Sequence, residues 1–184
     1  MKYPKLIGIT GQKGNGKDTI ANYLCSKYGY SAMACADILK KICSLIFDLN
    51  DEQLNGNLKE VSDERWFGLT PRKILQFVGT DLFRNNMEKL DENFGKDIWI
   101  LTLEKRIMNA SNNDKIIVIS DIRFQNELDL IKKFNGTIIR VKREGLKSDN
   151  HESEINISNF IVDHDVKNNG SFDDLYSEID SLFV

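Results

Sequence analysis

The segment Gly11–Lys17 constrains this chain more than any other feature, because its sequence GQKGNGK fits the pattern G-x-x-x-x-G-K. The apolar run Leu6–Thr10 precedes it and a helical pattern follows it. In that context backbone N–H groups surround phosphate oxygens, and the Lys17 ammonium reaches the outer phosphates. A glycine-rich turn with a surface lysine would not explain the flanking strand and helix. We therefore predict a triphosphate-binding P-loop that comprises Gly11, Lys13, Gly14, Asn15, Gly16, Lys17, Asp18 and Thr19.

Strand-like and helix-like segments alternate along the rest of the chain. The continuous β-branched run Ile116–Ile119 is typical of a strand that is buried on both faces of a parallel sheet. The alternation predicts an α/β fold with a central parallel sheet. Further strands are predicted at 31–36, 137–141 and 160–166, and helices at 38–46, 70–83, 97–110, 125–134 and 172–183.

Length and composition limit the class of protein. The 184 residues suit one domain, and 41% hydrophobic with 29% charged residues is ordinary for a globular chain. A net charge of −3 argues against a general nucleic-acid coat, and no run approaches the roughly 18 apolar residues of a membrane span. The three cysteines lack C-x-x-C spacing, and the first residues resemble a strand rather than a signal peptide. We expect a cytoplasmic protein with reduced thiols and neither nucleic-acid nor membrane partners.

Two acidic residues are candidates for a magnesium site. Asp18 stands where serine or threonine usually follows the P-loop lysine, and its carboxylate suits Mg²⁺ as well as the positive end of a helix. Asp121 follows the buried strand, at the sheet edge where ligands bind in open α/β folds. We predict that Asp121 orients Mg²⁺ and that Arg123 binds a phosphate nearby. Helix capping by Asp121 and a surface ion pair of Arg123 are the alternatives.

The predicted helix Thr70–Phe83 begins with a hydroxyl cap and a proline at its first position. Arg72 and Arg84 would lie roughly 18 Å apart along a straight helix, too far to grip one phosphate together. We expect one of them to bind an acceptor and the other to brace the structure. Gly79 in the helix interior costs about 1 kcal/mol relative to alanine, which indicates close approach of either a ligand or a neighbouring element.

A charged segment follows the strand at 137–141. Arg140, Lys142 and Arg143 end that strand, and the polar stretch 143–158 contains His151 and Glu154. Phosphoryl transfer requires that water be kept away and negative charge be neutralised, and a mobile basic lid serves both requirements. A merely solvated loop is the competing interpretation.

Four motifs occur in a fixed order over nearly the whole chain: GKDT at 16–19, TPRKILQFVGTDLFR at 70–84, SDIRFQNE at 120–127 and HESE at 151–154. Together they resemble the deoxynucleoside monophosphate kinases of phages and large DNA viruses. The segment Asp163–Leu175 is similar to the loop that holds the adenine of ATP in related kinases, although Val166 and Lys167 depart from the usual residues. Gln125 replaces a frequent proline, which affects a turn.

The resemblance implies a P-loop kinase three-layer fold within residues 1–184, with a helical acceptor-binding lobe at about 37–95 and a lid at 143–158. It implies ATP with Mg²⁺ as the donor. Lys17, Asp37, Asp121 and Arg123 become candidate catalytic residues, and Asp18 and Asp121 candidate metal ligands. The acceptor set it implies is Asp37, Lys40, Arg72, Gln76, Arg84, Arg123 and Glu154, and Arg143, Asn168 and Gly170 join the ATP-binding set.

The activity that this interpretation predicts is transfer from ATP to a deoxynucleoside monophosphate by positioning and charge neutralisation. Another small-molecule P-loop kinase, of the dephospho-coenzyme A or phosphomevalonate type, is the nearest alternative. A nucleotide-dependent switch is a third hypothesis, although the base-reading motif N-K-x-D is missing from the sequence. Base preference, selectivity for deoxyribose and the choice between monomer and homodimer stay open.

Overall fold

The computed structural model describes residues 3–92, 94, 97–145 and 156–183. In these residues five parallel strands form one sheet in the order β2-β3-β1-β4-β5. The predicted α/β class with a central parallel sheet is confirmed. The strands are β1 (Leu6–Thr10), β2 (Ser31–Met33), β3 (Ile117–Ile122), β4 (Thr137–Lys142) and β5 (His164–Lys167).

The helices alternate with these strands. A π-helical segment, Phe77–Arg84, follows α4 directly, and single 3₁₀ turns occur at Asn57–Glu60, Glu64–Trp66, Met87–Lys89 and Asn156–Asn159. The α-helices are α1 (Lys17–Tyr28), α2 (Asp37–Phe47), α3 (Asp51–Leu54), α4 (Pro71–Gln76), α5 (Ile98–Asn112), α6 (Gln125–Lys133) and α7 (Phe172–Ser181).

The chain divides into two compact units. One comprises Met1–Cys35 and Glu104–Val184 and contains the whole sheet with α1, α6 and α7. The other, Ala36–Leu103, contains α2, α3, α4 and the π-helical segment. The second unit therefore spans the segment 37–95, for which an acceptor-binding role is predicted.

The sheet unit has three layers because β1 alternates its side chains between two helical faces. Ile7 and Ile9 belong to a buried cluster that includes Ile20 and Leu24 of α1 and Ile179 of α7. On the opposite face α6 approaches Gly8 so closely that an added Cβ would lie 3.1 Å from Ile131 Cγ1. The predicted three-layer arrangement is confirmed.

The second unit has its own apolar core, which explains the glycine in the π-helical segment. A Cβ on Gly79 would lie 2.7 Å from Leu39 Cδ2 in α2, and the Gly79 carbonyl accepts a hydrogen bond from Trp99 Nε1 at 2.9 Å. Of the two explanations for this glycine, close packing of a neighbouring element is the one that the structure supports. The buried members of this core are Cys43, Leu49, Leu54, Ile74, Leu75 and Val78.

Several predicted boundaries are wrong. The helix predicted for 70–83 is α-helical only to Gln76, so the straight-helix spacing of Arg72 and Arg84 does not apply. The strand predicted for 31–36 ends at Met33, because the Cys35 N–H donates to the Asp121 carboxylate at 3.3 Å instead of extending the ladder.

Two further sequence predictions need correction. The last strand occupies His164–Lys167 rather than 160–166. The helical spacing of Leu39, Leu45 and Ile46 predicts that they share one apolar stripe of α2. Leu45 and Ile46 are instead 86% and 62% exposed, because the helix buries the face that carries Leu39 and Cys43. Cys25, Cys35 and Cys43 are free thiols in the structure. Among the described helices, none has both the length and the apolar character needed to cross a bilayer.

Candidate active site

The P-loop joins β1 to α1 through glycines that adopt positive φ angles. Gly11, Gly14 and Gly16 have φ values of 150°, 84° and 98°, a region that side chains rarely enter. Lys17 Nζ donates to the carbonyl oxygens of Gly11 at 2.7 Å and Gln12 at 3.0 Å, so its ammonium lies across the loop. The structure places the predicted phosphate-binding residues in a compact turn at the N-terminus of α1.

The end of β4 anchors this loop. Asn15 is only 5% exposed, and its Nδ2 donates to the Val141 carbonyl at 2.8 Å. A Cβ on Gly11 would lie 2.6 Å from the same carbonyl oxygen. The loop and the β4 backbone are therefore in van der Waals contact, which leaves no room for a side chain at position 11.

The segment after β5 also contacts the P-loop. The Asn168 N–H donates to the Lys142 carbonyl at 2.8 Å, and its Nδ2 donates to the Asn15 carbonyl at 2.9 Å. Gly170 lies against the first turn of α7, where an added Cβ would be 2.5 Å from Asp174 Oδ2. Of these two predicted ATP-binding residues, Asn168 bonds directly to the P-loop. Gly170 instead allows the chain to pack closely against Asp174 in α7.

Three residue pairs with the same sequence separation join the P-loop and α1 to the segment that contains α7. Asn15 bonds to Asn168, Tyr23 stacks on Tyr176 with ring centroids 3.9 Å apart, and Lys27 pairs with Asp180 at 2.6 Å. The partners in each pair are 153 residues apart. Helices α1 and α7 therefore run parallel and in step, and contacts along their length fix the direction in which the start of α1 points.

The end of β3 lies beside the start of the P-loop. Thr10 Oγ1 donates to the Ile122 carbonyl at 2.8 Å, which joins the ends of β1 and β3. Asp121 is the next-to-last residue of β3 rather than a residue after the strand, and its carboxylate accepts from the Cys35 N–H. The Arg123 and Phe124 N–H groups at the start of α6 bond to Glu127 Oε2, so the helix-capping explanation for Asp121 does not hold.

The deoxynucleotide monophosphate kinase family model matches residues 50–179 of this chain. The chain belongs to that family. It is 43% identical to a protein of Acanthamoeba polyphaga mimivirus that bears the family's name, over 95% of this chain and 93% of the relative. It is 33% identical to the deoxynucleoside-5′-monophosphate kinase of Escherichia phage T5, over 65% of this chain and 47% of the relative. The chain thus spans about half the length of that phage enzyme.

The fold agrees with this family assignment. A dephospho-CoA kinase from Campylobacter jejuni superposes with a TM-score of 0.55 at 17% identity, covering 97% of this chain and 95% of that one. Likeness at this identity shows the fold alone, and it confirms the predicted P-loop kinase fold. The family model begins at residue 50, so it does not include the segment Gly11–Lys17. The alignment with the mimivirus protein covers 95% of the chain and includes that segment.

Asp18 and Asp121 are the predicted Mg²⁺ ligands of this deoxynucleotide monophosphate kinase family member. Asp18 is exposed in the first turn of α1, and Asp121 lies at the sheet edge. No cluster of three acidic, histidine or cysteine side chains that could enclose a metal ion occurs in the described part of the chain. Mg²⁺ typically binds one or two carboxylates together with substrate phosphates, so this sparse set of oxygen ligands fits that ion.

The predicted acceptor residues belong mainly to the second unit. Asp37 starts α2, and Lys40 one turn later donates to Asn55 Oδ1 at 2.6 Å. Arg72 pairs with Glu60 on the surface, Gln76 is exposed at the end of α4, and Arg84 is half-buried at the end of the π-helical segment. Glu154 lies outside the described residues.

One basic residue of the charged segment before the predicted lid has a structural role. The Arg140 side chain is 12% exposed and binds both carboxylate oxygens of Asp165, at 2.6 and 3.0 Å. It also donates to the Phe160 carbonyl at 3.1 Å, and its hydrogen bonds lower the pKa of Asp165 to about 2. Arg140 therefore joins β4 to β5 and lies outside the lid that the sequence predicts for 143–158. Arg143 is exposed beyond β4, and residues 146–155 lie outside the described ranges.

Proposed function

We propose that this protein transfers the γ-phosphoryl group of ATP to a deoxynucleoside monophosphate, forming ADP and a deoxynucleoside diphosphate. The observation that carries the proposal is the P-loop geometry, with Lys17 folded across Gly11 and Gln12, in a chain of this family. The products are precursors for DNA synthesis, which matches the viral origin of the relatives. We assign the reaction to the cytoplasm, that of the host if the source is a virus.

The chemistry requires positioning and charge neutralisation rather than a covalent intermediate. The backbone of Gly11–Lys17 orients the triphosphate, and the Lys17 ammonium offsets charge on the transferring group. Asp18 and Asp121 would hold Mg²⁺, which neutralises charge on the phosphate oxygens when bound. Asn168 supports the loop from the β5 side through the Asn15 carbonyl.

The acceptor monophosphate calls for arginine, because a guanidinium forms two parallel hydrogen bonds to a phosphate. We assign acceptor binding to Asp37, Lys40, Arg72, Gln76, Arg84 and Glu154. Arg123 follows Asp121 by two residues at the β3 edge, and we assign it to the charge that develops in the transition state.

An acceptor screen tests this function. Purified protein is incubated with ATP, Mg²⁺ and each common dNMP, each NMP or dephospho-coenzyme A, and ADP release is measured. We expect turnover with at least one dNMP at a kcat/KM above that of the matching NMP. Turnover with dephospho-coenzyme A alone would show that only the fold, and not the substrate, is shared with the kinases. ADP release without any acceptor, coupled to partner binding, would instead favour a nucleotide-dependent switch.

Removing the charge of either aspartate should weaken the response to magnesium. For Asp18→Asn and Asp121→Asn we expect the half-saturating Mg²⁺ concentration to rise about tenfold or more, because an amide is a poorer ligand than a carboxylate. Nucleotide binding without metal should change little. Asp129→Asn, an exposed aspartate of α6, is the matched control. Unchanged magnesium titrations in both variants would show that these carboxylates have structural roles only.

Arginine-to-lysine substitutions separate acceptor binding from transition-state stabilisation. Arg72→Lys and Arg84→Lys keep the charge but lose the forked geometry, so the acceptor KM should rise about 10- to 100-fold, since a hydrogen bond to a charged group contributes roughly 1.5–3 kcal/mol. Arg123→Lys should instead lower kcat with little change in KM.

Steady-state kinetics with ATP and dNMP varied separately measure these effects. Arg65→Lys, an exposed ion-paired arginine in the second unit, is the control. Wild-type acceptor kinetics in all three lysine variants would move the monophosphate site away from these residues, and Arg143 would be examined next.

A further inference from the structure

Glu127 is a buried carboxylate for which the proposed chemistry has no role. It lies in the first turn of α6 and is 5% exposed. Its Oε2 accepts the Arg123 N–H at 2.7 Å and the Phe124 N–H at 3.1 Å. Burying a carboxylate is unfavourable unless hydrogen bonds compensate, and a glutamate that only caps a surface helix normally stays in water. Its burial therefore indicates a function beyond capping.

The same carboxylate lies near the segment that follows β2. Burial and the nearby Glu127 carboxylate raise the pKa of the Cys35 thiol. The Cys35 N–H donates to Asp121 Oδ1 at 3.3 Å. Arg106 Nη1 holds the preceding residue by donating to the Ala34 carbonyl at 2.8 Å. The segment after β2 is thus bonded to Asp121, and its Cys35 thiol lies near the carboxylate that holds the backbone of Arg123.

We infer that Glu127 is a positioning residue, which acts through the Arg123 backbone to hold the β3–α6 turn in the geometry that phosphoryl transfer requires. The inference rests on the proposed function. The turn requires at position 127 a fixed oxygen atom that accepts hydrogen bonds from two backbone N–H groups. A negative charge is not needed for that, so glutamine should replace glutamate whereas alanine should not.

Turnover in three single variants tests whether position 127 requires only a hydrogen-bond acceptor and not a negative charge. Glu127→Ala should lower kcat about a hundredfold, because small displacements of catalytic groups have effects of that size. Glu127→Gln should stay within about threefold of wild type, and so should Asp129→Ala, an exposed carboxylate of the same helix. A glutamine variant as slow as the alanine variant would overturn the inference, since the charge itself would then matter.

A double-mutant cycle with Arg123→Ala tests whether Glu127 acts through Arg123. In the Arg123→Ala background, Glu127→Ala should lower kcat by less than about threefold, because the group that it positions is already gone. If Glu127 had only a general structural role, its replacement by alanine would lower kcat by the same factor in both backgrounds. That outcome would overturn the inference. If thermal unfolding shows that Glu127→Ala does not fold, Glu127→Asp, which is one methylene too short, takes its place in the same cycle.

Amide hydrogen exchange gives a readout that does not depend on activity. In Glu127→Ala the Arg123 and Phe124 amides should exchange at least about tenfold faster, while the amides of β3 stay unchanged. Unchanged protection of both amides would contradict the inference. A wild-type protein that phosphorylates no dNMP would overturn the proposed function, whereas an active wild type with an additive cycle would overturn only the role of Glu127.

Discussion

Replacing Lys17 by alanine should lower kcat by about two to three orders of magnitude, the usual cost of removing one preorganised donor to developing charge. The Lys17 ammonium donates to the Gly11 and Gln12 carbonyls, so it lies where the outer phosphates of a bound nucleotide are expected. The substitution removes these two bonds, but the glycines of the loop and the bond from Asn15 to β4 also hold its conformation, and neither depends on this lysine. The fold should therefore survive the substitution.

Pre-steady-state phosphoryl transfer with saturating ATP and dNMP measures this loss directly, and circular dichroism with thermal unfolding checks the fold. Lys132→Ala, an exposed lysine at the end of α6, is the matched control and should keep wild-type turnover. A Lys17→Ala protein with near-normal turnover would show that Gly11–Lys17 is not a catalytic P-loop.

The parts of the fold that could be predicted depend on local signals. The glycines of the P-loop and the β-branched run of β3 specify their conformations within a few residues. For that reason the bounds of β1 are predicted correctly, and β3 is placed correctly although it ends at Ile122 rather than Ile119. The start of α4 was equally clear, because Thr70 caps it through a hydrogen bond from the Lys73 N–H and a proline follows.

The parts that could not be predicted depend on contacts between distant segments. Arg140 belongs to a charged segment next to the predicted lid, and only the pairing of β4 with β5 places it against Asp165. The exposure of Leu45 could not be inferred from its apolar character, because the choice of buried face depends on which other helices pack against α2. The π-helical segment likewise has no sequence signal that differs from that of an α-helix.

The candidate site shows the same division. The resemblance indicated the segment Asp163–Leu175, but the bond from Asn168 to the P-loop joins residues 153 positions apart and required the fold. Glu127 belongs to the motif SDIRFQNE at 120–127, yet its burial and its bonds to the Arg123 and Phe124 N–H groups have no signature in the sequence. The sequence predicts candidate site residues where one strand and the turn after it determine their position. It does not predict which distant residues those side chains contact.

The second large effect should come from Gly11→Ala. Gly11 has a φ of 150°, and an added Cβ would lie 2.6 Å from the Val141 carbonyl oxygen, well inside contact distance. That oxygen belongs to the β4 backbone and also accepts the Asn15 bond, so it cannot move without separating the loop from the sheet. Backbone strain and overpacking together predict a loss of about 2–5 kcal/mol in the free energy of unfolding. Binding of ATP should be lost as well.

Gly29→Ala is the matched control for the contact with β4. Gly29 ends α1 with a φ of 77°, and a Cβ there would meet nothing within 4 Å. This variant should lose only the roughly 1–2 kcal/mol of a left-handed non-glycine residue and should bind ATP normally. Urea unfolding of both variants gives the difference between their free energies of unfolding. That difference separates the effect of the clash with Val141 from the effect of backbone strain. If Gly11→Ala were no less stable than Gly29→Ala and bound ATP with wild-type affinity, the P-loop would not depend on its contact with β4, and the sheet would not be what holds the phosphate-binding amides in place.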